Sequence, residues 1–126
     1  MSSKSLIVTA GLLGCIAVML GALGAHALKN ALTPEQIDSF NTAVRYQMWH
    51  ALALLALPFL GEKIKGLKLI FWLWLVGVIL FSGSIYLLNI DELINQNLSF
   101  LGPITPLGGI CLIAGWIALI IGALRK

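Results

Sequence analysis

The segment GALGAHALKN, residues 21–30, decides how many helices the chain has. Small residues followed by Ala25-His26-Ala27 resemble a signal-peptidase site, and cleavage after Ala27 would remove the first apolar segment. The apolar run before this site is about 20 residues long, whereas the apolar region of a signal peptide has about 7–15. We therefore interpret residues 21–30 as the outer end of a retained helix.

A second cleavage interpretation is a lipoprotein signal, because Leu12-Leu13-Gly14-Cys15 resembles a lipobox. A mature lipoprotein usually continues with a polar tether after its cysteine. This chain continues with IAVMLGALGA, which favours the retained helix.

The composition indicates a single integral membrane domain over residues 1–126. Hydrophobic residues make up 60% of the chain and charged residues 10%, and the mean hydropathy is +0.99. A soluble domain of this length could not bury so much apolar surface. The net charge of +3 comes from basic residues that flank apolar runs, so it indicates topology rather than a nucleic-acid partner. Cys15 and Cys111 lie inside apolar runs, which predicts neither a disulfide nor a metal site, and no cofactor is expected.

Four segments are apolar and long enough to cross a bilayer as helices, which needs about 20 residues each. They are residues 6–28, 44–60, 69–90 and 103–124. The predicted fold is all-α, a four-helix membrane bundle. Between the first two spans, Thr33-Pro34-Glu35-Gln36 is typical of a capped helix start. This start predicts a short helix on the membrane surface that leads into the second span.

The basic residues predict the orientation. Four spans place both termini and residues 61–68 on one side, with the six basic residues Lys4, Lys63, Lys65, Lys68, Arg125 and Lys126. The other side has only Lys29 and Arg45. Because basic residues concentrate on the cytoplasmic side, both termini are expected in the cytoplasm.

Small residues recur along one side of the first and fourth spans. Helix-packing glycines are expected at Gly14, Gly21 and Gly24 in the first span, and at Gly108, Gly115 and Gly122 in the fourth. Such seams let membrane helices approach closely. We expect these two spans to pack tightly, against each other or against a second protomer.

Polar residues are expected to gather near the outer ends of the spans. The candidate ligand- or partner-binding residues are His26, Arg45, Tyr46, Gln47, His50, Ser82, Ser84, Tyr86, Asn89 and Thr105. Polar residues inside membrane segments usually face the bundle interior and mark candidate sites. The alternative is a purely structural role, with Arg45 reaching lipid phosphate and aromatic residues anchoring the interface. No nucleophile, metal or phosphate motif is present in the sequence, so a non-enzymatic protein is expected.

Four stretches together resemble a known family. They are GALGAHAL at 21–28, YQMWHALALL at 46–55, LFSGSIYLL at 80–88 and ITPLGGICLIAGW at 104–116. The chain resembles the YgdD/YwdK family of small bacterial inner-membrane proteins of unknown function over nearly its whole length. The resemblance implies a four-span inner-membrane protein and no particular reaction. The matching polar residues are His26, Tyr46, Gln47, His50, Ser82, Ser84, Tyr86, Thr105 and Pro106.

Three functions are compatible with this pattern. The first is a non-enzymatic protein that binds a lipid headgroup or a membrane-protein partner at its outer face and supports envelope integrity. The second is a subunit of a small transporter or channel, which requires a homo-oligomer through the glycine seams. The third is an intramembrane enzyme that depends on a metal or a serine.

Overall fold

The chain folds into four long helices. A computed structural model describes residues 1–125, apart from the side chain of Glu62. The helices are α1 (Ser3–Ala25), α2 (Pro34–Leu60), α3 (Leu67–Ile90) and α4 (Ile104–Leu124), with short 3-10 turns at Gly61–Lys63 and Ser99–Leu101. The predicted all-α class is confirmed for the described residues. Lys126, one of the six basic residues assigned to the cytoplasmic side, lies outside them.

Three helical segments are long and apolar enough to cross a membrane. They are Ser3–Ala25, Leu67–Ile90 and Ser99–Leu124, with 23, 24 and 26 residues. α2 is longer, at 27 residues, but it begins with a polar segment that contains Glu35 and Asp38. The chain is therefore a membrane protein, and the crossing of the membrane by α2 stays a prediction.

α2 is one continuous helix, so the prediction of a separate surface helix before residue 44 is wrong. The predicted capping box at its start is confirmed: the Thr33 hydroxyl accepts from the Gln36 N–H at 3.2 Å, and the Gln36 side chain accepts from the Thr33 N–H at 2.9 Å. The helix continues through residue 44 because neither glycine nor proline occurs between Pro34 and Pro58. Leu32 is buried just before the cap.

Consecutive long helices pack as antiparallel neighbours. α1 lies along α2, α2 along α3, and α3 along α4. The ends of α1 and α4 that carry the chain termini therefore lie at the same end of the fold as the turn Gly61–Lys63. One apolar core joins the four helices near this end, and it comprises Leu6, Ala10, Leu54, Leu57, Ile70, Phe71, Trp74, Val78 and Leu112.

The glycine seam of α1 faces α2. A Cβ on Gly24 would lie 3.0 Å from the Phe40 ring, and one on Gly21 would lie 3.3 Å from Val44. Gly14, farther along the seam, would bring its Cβ 4.0 Å from the sulfur of Met48.

The seam of α4 faces α3 and the turn before it. A Cβ on Gly108 would collide with the backbone of Phe81, one on Gly115 with Trp74, and one on Gly122 with the backbone of Lys65. The prediction that the two seams pack against each other is therefore wrong, because each is covered by the helix adjacent in sequence. A homo-oligomer stays a prediction.

We expect Gly108→Ala to destabilise the protein by about 1–3 kcal/mol, because its methyl group would force α4 away from the α3 backbone. Gly11→Ala is the matched control, since a Cβ at Gly11 meets nothing within 4 Å. The measurement is unfolding in mixed micelles by titration with sodium dodecyl sulfate, followed by circular dichroism. Equal effects of the two variants would contradict the close approach of α3 and α4.

Candidate functional site

A column of polar side chains runs along the contact between α2 and α3. Asn89 Nδ2 donates to Ser39 Oγ at 3.1 Å, near the end of the two helices that is farther from the chain termini. Further in, Ser82 Oγ donates to the Ala43 carbonyl at 2.8 Å. We call this set the polar column; it comprises Ser39, Gln47, His50, Ser82, Tyr86 and Asn89.

Gln47 joins three helices. Its side-chain Nε2 donates to the Leu13 carbonyl of α1 at 2.8 Å, and its Oε1 accepts from the Tyr86 hydroxyl of α3 at 2.7 Å. Only 3% of Gln47 is exposed. In such an apolar environment both ends of the amide need protein partners. Gln47 has them on the two helices that flank α2.

His50 connects α2 to α4. Trp116 Nε1 can only donate, and it lies 3.0 Å from His50 Nε2, so Nε2 accepts. The ring proton is then on Nδ1, which donates to the Tyr46 carbonyl at 2.7 Å. Both ring nitrogens of the neutral imidazole are thereby satisfied within the chain. A second ring proton, on His50 Nε2, would point at the Trp116 Nε1–H, so that two donors would face each other.

The column reaches the middle of the helices. At the outer end α2 meets α1 where Phe40 packs on Gly24. His50 lies ten residues further along α2, a rise of about 15 Å, or half of a hydrocarbon core of about 30 Å. The outer-leaflet position of Gln47 and His50 stays a prediction. Along the helix itself, Gln47 is the midpoint of α2, which begins at Pro34.

Five of the predicted residues are outside the column, and two of these, His26 and Arg45, are exposed. His26 follows the last residue of α1 as its C-cap and is exposed. Arg45 is exposed because a residue two positions from Gln47 points about 200° away around the helix. The prediction that His26 and Arg45 share a cluster with Gln47 is wrong, and His26 lies far along the fold from His50.

Ser84 and Thr105 form a separate pair between α3 and α4. Their hydroxyl oxygens are 2.5 Å apart, and Ser84 also donates to the Phe81 carbonyl at 3.0 Å. Neither residue contacts the polar column through these bonds. The pair fixes the start of α4 against the outer half of α3.

An aromatic cluster surrounds His50, and the sequence analysis did not identify it. The rings of Trp74 and Trp116 have centroids 4.7 Å apart, and His50 lies 6.0 Å from Trp74. The buried indole N–H of Trp74 has no hydrogen-bond partner. Tryptophans in membrane helices concentrate at the interface. The position of Trp116 in the middle of an apolar span could therefore have indicated a packed aromatic cluster. The Tyr46 ring stacks on His50 with centroids 6.3 Å apart, and its centroid lies 4.8 Å from that of Phe81.

The polar side chains of the site join the helices to one another through hydrogen bonds within the chain. His50 bonds to Tyr46 and Trp116 while Ser82 bonds to Ala43, so these residues do not form a nucleophile and base pair. Among the described residues, no three His, Cys, Asp or Glu side chains come close enough to hold a metal ion.

Comparison with known proteins identifies the family. A family model described as "Protein of unknown function (DUF423)" matches residues 20–109, which include the whole polar column. The chain belongs to this family. The predicted resemblance to YgdD and YwdK is confirmed.

Three relatives resemble the chain over nearly its full length. The UPF0382 membrane protein YwdK of Bacillus subtilis is 37% identical, covering 97% of this chain and 98% of its own. A UPF0382 membrane protein of Staphylococcus saprophyticus is 36% identical, covering 97% and 98%. The UPF0382 inner membrane protein YgdD of Escherichia coli is 31% identical, covering 99% and 93%. No solved structure gives a significant match.

We expect Tyr86→Phe to destabilise the protein by about 0.6–1.7 kcal/mol, the range for hydrogen bonds between membrane helices. The variant leaves Gln47 Oε1 buried without its donor. Tyr46→Phe is the control, because Tyr46 bonds to the column through its backbone carbonyl. The measurement is detergent unfolding followed by tryptophan fluorescence. In a Gln47→Met background the effect of Tyr86→Phe should disappear, and an unchanged effect there would rule out the bond as its cause.

Proposed function

We propose that the chain crosses the bacterial inner membrane four times, with both termini in the cytoplasm. Three helical segments have the length and composition of spans. α2 packs on α1 from Phe40 to the inner core around Leu57. The helix rises by about 26 Å over the 17 residues from Phe40 to Leu57, which is close to the thickness of a hydrocarbon core. The five described basic residues near the terminal end of the fold support its cytoplasmic placement.

The orientation can be tested with alkaline phosphatase and green fluorescent protein fused to the C-terminus. We expect fluorescence and no phosphatase activity, because the phosphatase folds only outside the cytoplasm. Fusions after Asn95, in the loop between α3 and α4, should give the opposite result. Phosphatase activity at the C-terminus would contradict a four-span topology with cytoplasmic termini.

We further propose that the protein is not an enzyme and binds a lipid headgroup at its outer face, thereby supporting envelope integrity. The observation that carries this proposal is a cleft of about 420 Å³ beside the start of α2. It is lined by Lys29, Leu32, Pro34, Ile37, Asp38 and Asn41. The side chains of the polar column form their hydrogen bonds within the chain. We therefore assign headgroup binding to this cleft and not to those residues.

The cleft has the charge pattern of a zwitterionic headgroup. Exposed Lys29 would attract the phosphate and exposed Asp38 the ammonium group of phosphatidylethanolamine. Leu32 and Ile37 supply apolar contacts between the two charges. The apolar core in the inner half of the helices offers no polar route, which makes transport the weaker alternative.

Native mass spectrometry of the purified protein with added phosphatidylethanolamine and phosphatidylglycerol tests the headgroup proposal. Lys29→Ala should lower the affinity for both lipids about fivefold, since one basic residue contributes about 1 kcal/mol at a membrane surface. Asp38→Asn should weaken phosphatidylethanolamine binding and leave phosphatidylglycerol binding unchanged or stronger.

Glu92→Ala is the matched control, because Glu92 is an exposed carboxylate in the other outer loop. Loss of binding with Arg45→Ala but not with Lys29→Ala would place the headgroup on the lipid-facing side of α2 instead. Unchanged binding in every variant would contradict the proposal and favour a protein partner.

A further inference from the structure

A second cleft lies at the opposite end of the fold, where the turn before α3 meets the end of α4. Its volume is about 180 Å³. It is lined by Lys65, Gly66, Leu69, Ala118, Ile121, Gly122 and Arg125. The cleft is separated from the proposed outer headgroup site by the length of the bundle.

Backbone contacts set the shape of this cleft. The Lys65 N–H donates to the Gly122 carbonyl at 3.1 Å, and any side chain at Gly122 would collide with the Lys65 carbonyl. Gly66 has a φ of +82°, a left-handed conformation that glycine adopts without strain. The turn is therefore held against α4 by its main chain, and the Lys65 side chain is exposed.

The charges that the described residues bring to the cleft are positive. Lys65 and Arg125 line it, and none of the described lining residues is a carboxylate. α3 begins here without a side-chain cap and without an acidic residue in its first turn. Its free backbone N–H groups add partial positive charge at the same place. This pattern fits an anion, in contrast to the mixed charges of the outer cleft.

The wall of the cleft is apolar and continues into the membrane-facing surface. Leu69 is 58% exposed and Ile121 45% exposed, and both lie beside Ala118 in the cleft. Inorganic phosphate has no apolar group that could contact such a wall, whereas a phospholipid presents an acyl chain directly below its phosphate. The combination of a cationic rim and an apolar wall therefore matches an amphiphilic anion.

We propose that this cleft binds the headgroup phosphate of an anionic phospholipid in the cytoplasmic leaflet, with Lys65 and Arg125 as its charged contacts. The assignment to the cytoplasmic leaflet rests on the orientation proposed above. The binding itself does not, because a symmetric bilayer presents the same lipid on both sides. The residues also differ from those of the outer cleft, so the two lipid proposals can fail independently.

The test uses full-length protein in nanodiscs of phosphatidylcholine with increasing phosphatidylglycerol, and native mass spectrometry counts the retained phosphatidylglycerol. Lys65→Ala and Arg125→Ala should each lower phosphatidylglycerol affinity about fivefold. Lys65→Arg keeps the charge and should retain binding. Circular dichroism of each variant checks that the helices remain folded.

The matched controls are Lys63→Ala and Lys68→Ala, which remove exposed basic residues at the same end of the fold but outside the cleft. Changes of less than about twofold are expected for them, because they contribute only diffuse attraction. Equal losses in all four alanine variants would overturn the proposal in favour of general surface attraction. Unchanged binding in Lys65→Ala and Arg125→Ala would overturn it as well.

The last part of the experiment is a competition between inorganic phosphate and phosphatidylglycerol. An excess of phosphate should leave phosphatidylglycerol bound, because phosphate lacks the acyl contact with Leu69 and Ile121. Full displacement by phosphate would show that the cleft recognises a free anion and would contradict a lipid occupant.

Discussion

The amide of Gln47 joins three helices and is buried inside the bundle, where neither water nor lipid can supply a hydrogen bond. Its donor and its acceptor are both satisfied when α1 and α3 flank α2. A shift of α3 by one turn would separate the Tyr86 hydroxyl from Gln47 Oε1 and leave a buried polar group unpaired, which costs more than a single hydrogen bond gains. This constraint fixes the order of the first three helices, and His50 extends it to α4 through Trp116.

Close backbone packing and the polar column have different roles. Glycines at Gly24, Gly108 and Gly115 allow neighbouring helices to approach, but van der Waals contact alone permits sliding along a smooth seam. Directional hydrogen bonds from Ser82 and Gln47 select one position along that seam. Within residues 46–55 and 80–88, Gln47, Ser82 and Tyr86 therefore set the register between α2 and α3. His50 and Ser84, in the same two stretches, bond to α4.

Because the polar column is hydrogen-bonded within the chain, we place the proposed interactions with other molecules at the two ends of the bundle. The cleft beside the start of α2 combines Lys29 with Asp38, whereas the described residues of the cleft between α4 and the turn before α3 contribute Lys65 and Arg125 and no carboxylate. The same asymmetry of charge that orients a membrane protein can also distinguish the lipids on its two sides. The two lipid sites proposed above would then lie in opposite leaflets.

The sequence by itself determined the helical class, the membrane environment, the capped start of α2 at Thr33 and most members of the polar column. These depend on local composition, periodicity and capping, which are encoded in neighbouring residues. Only the tertiary structure decided that α1 packs on α2, that Gln47 bonds to the carbonyl of Leu13, and that Arg45 faces away. A backbone carbonyl carries no sequence signal, and small-residue seams are compatible with several partners. The separate surface helix was predicted because the first turns of α2 are polar, whereas the helix is continuous from Pro34 to Leu60.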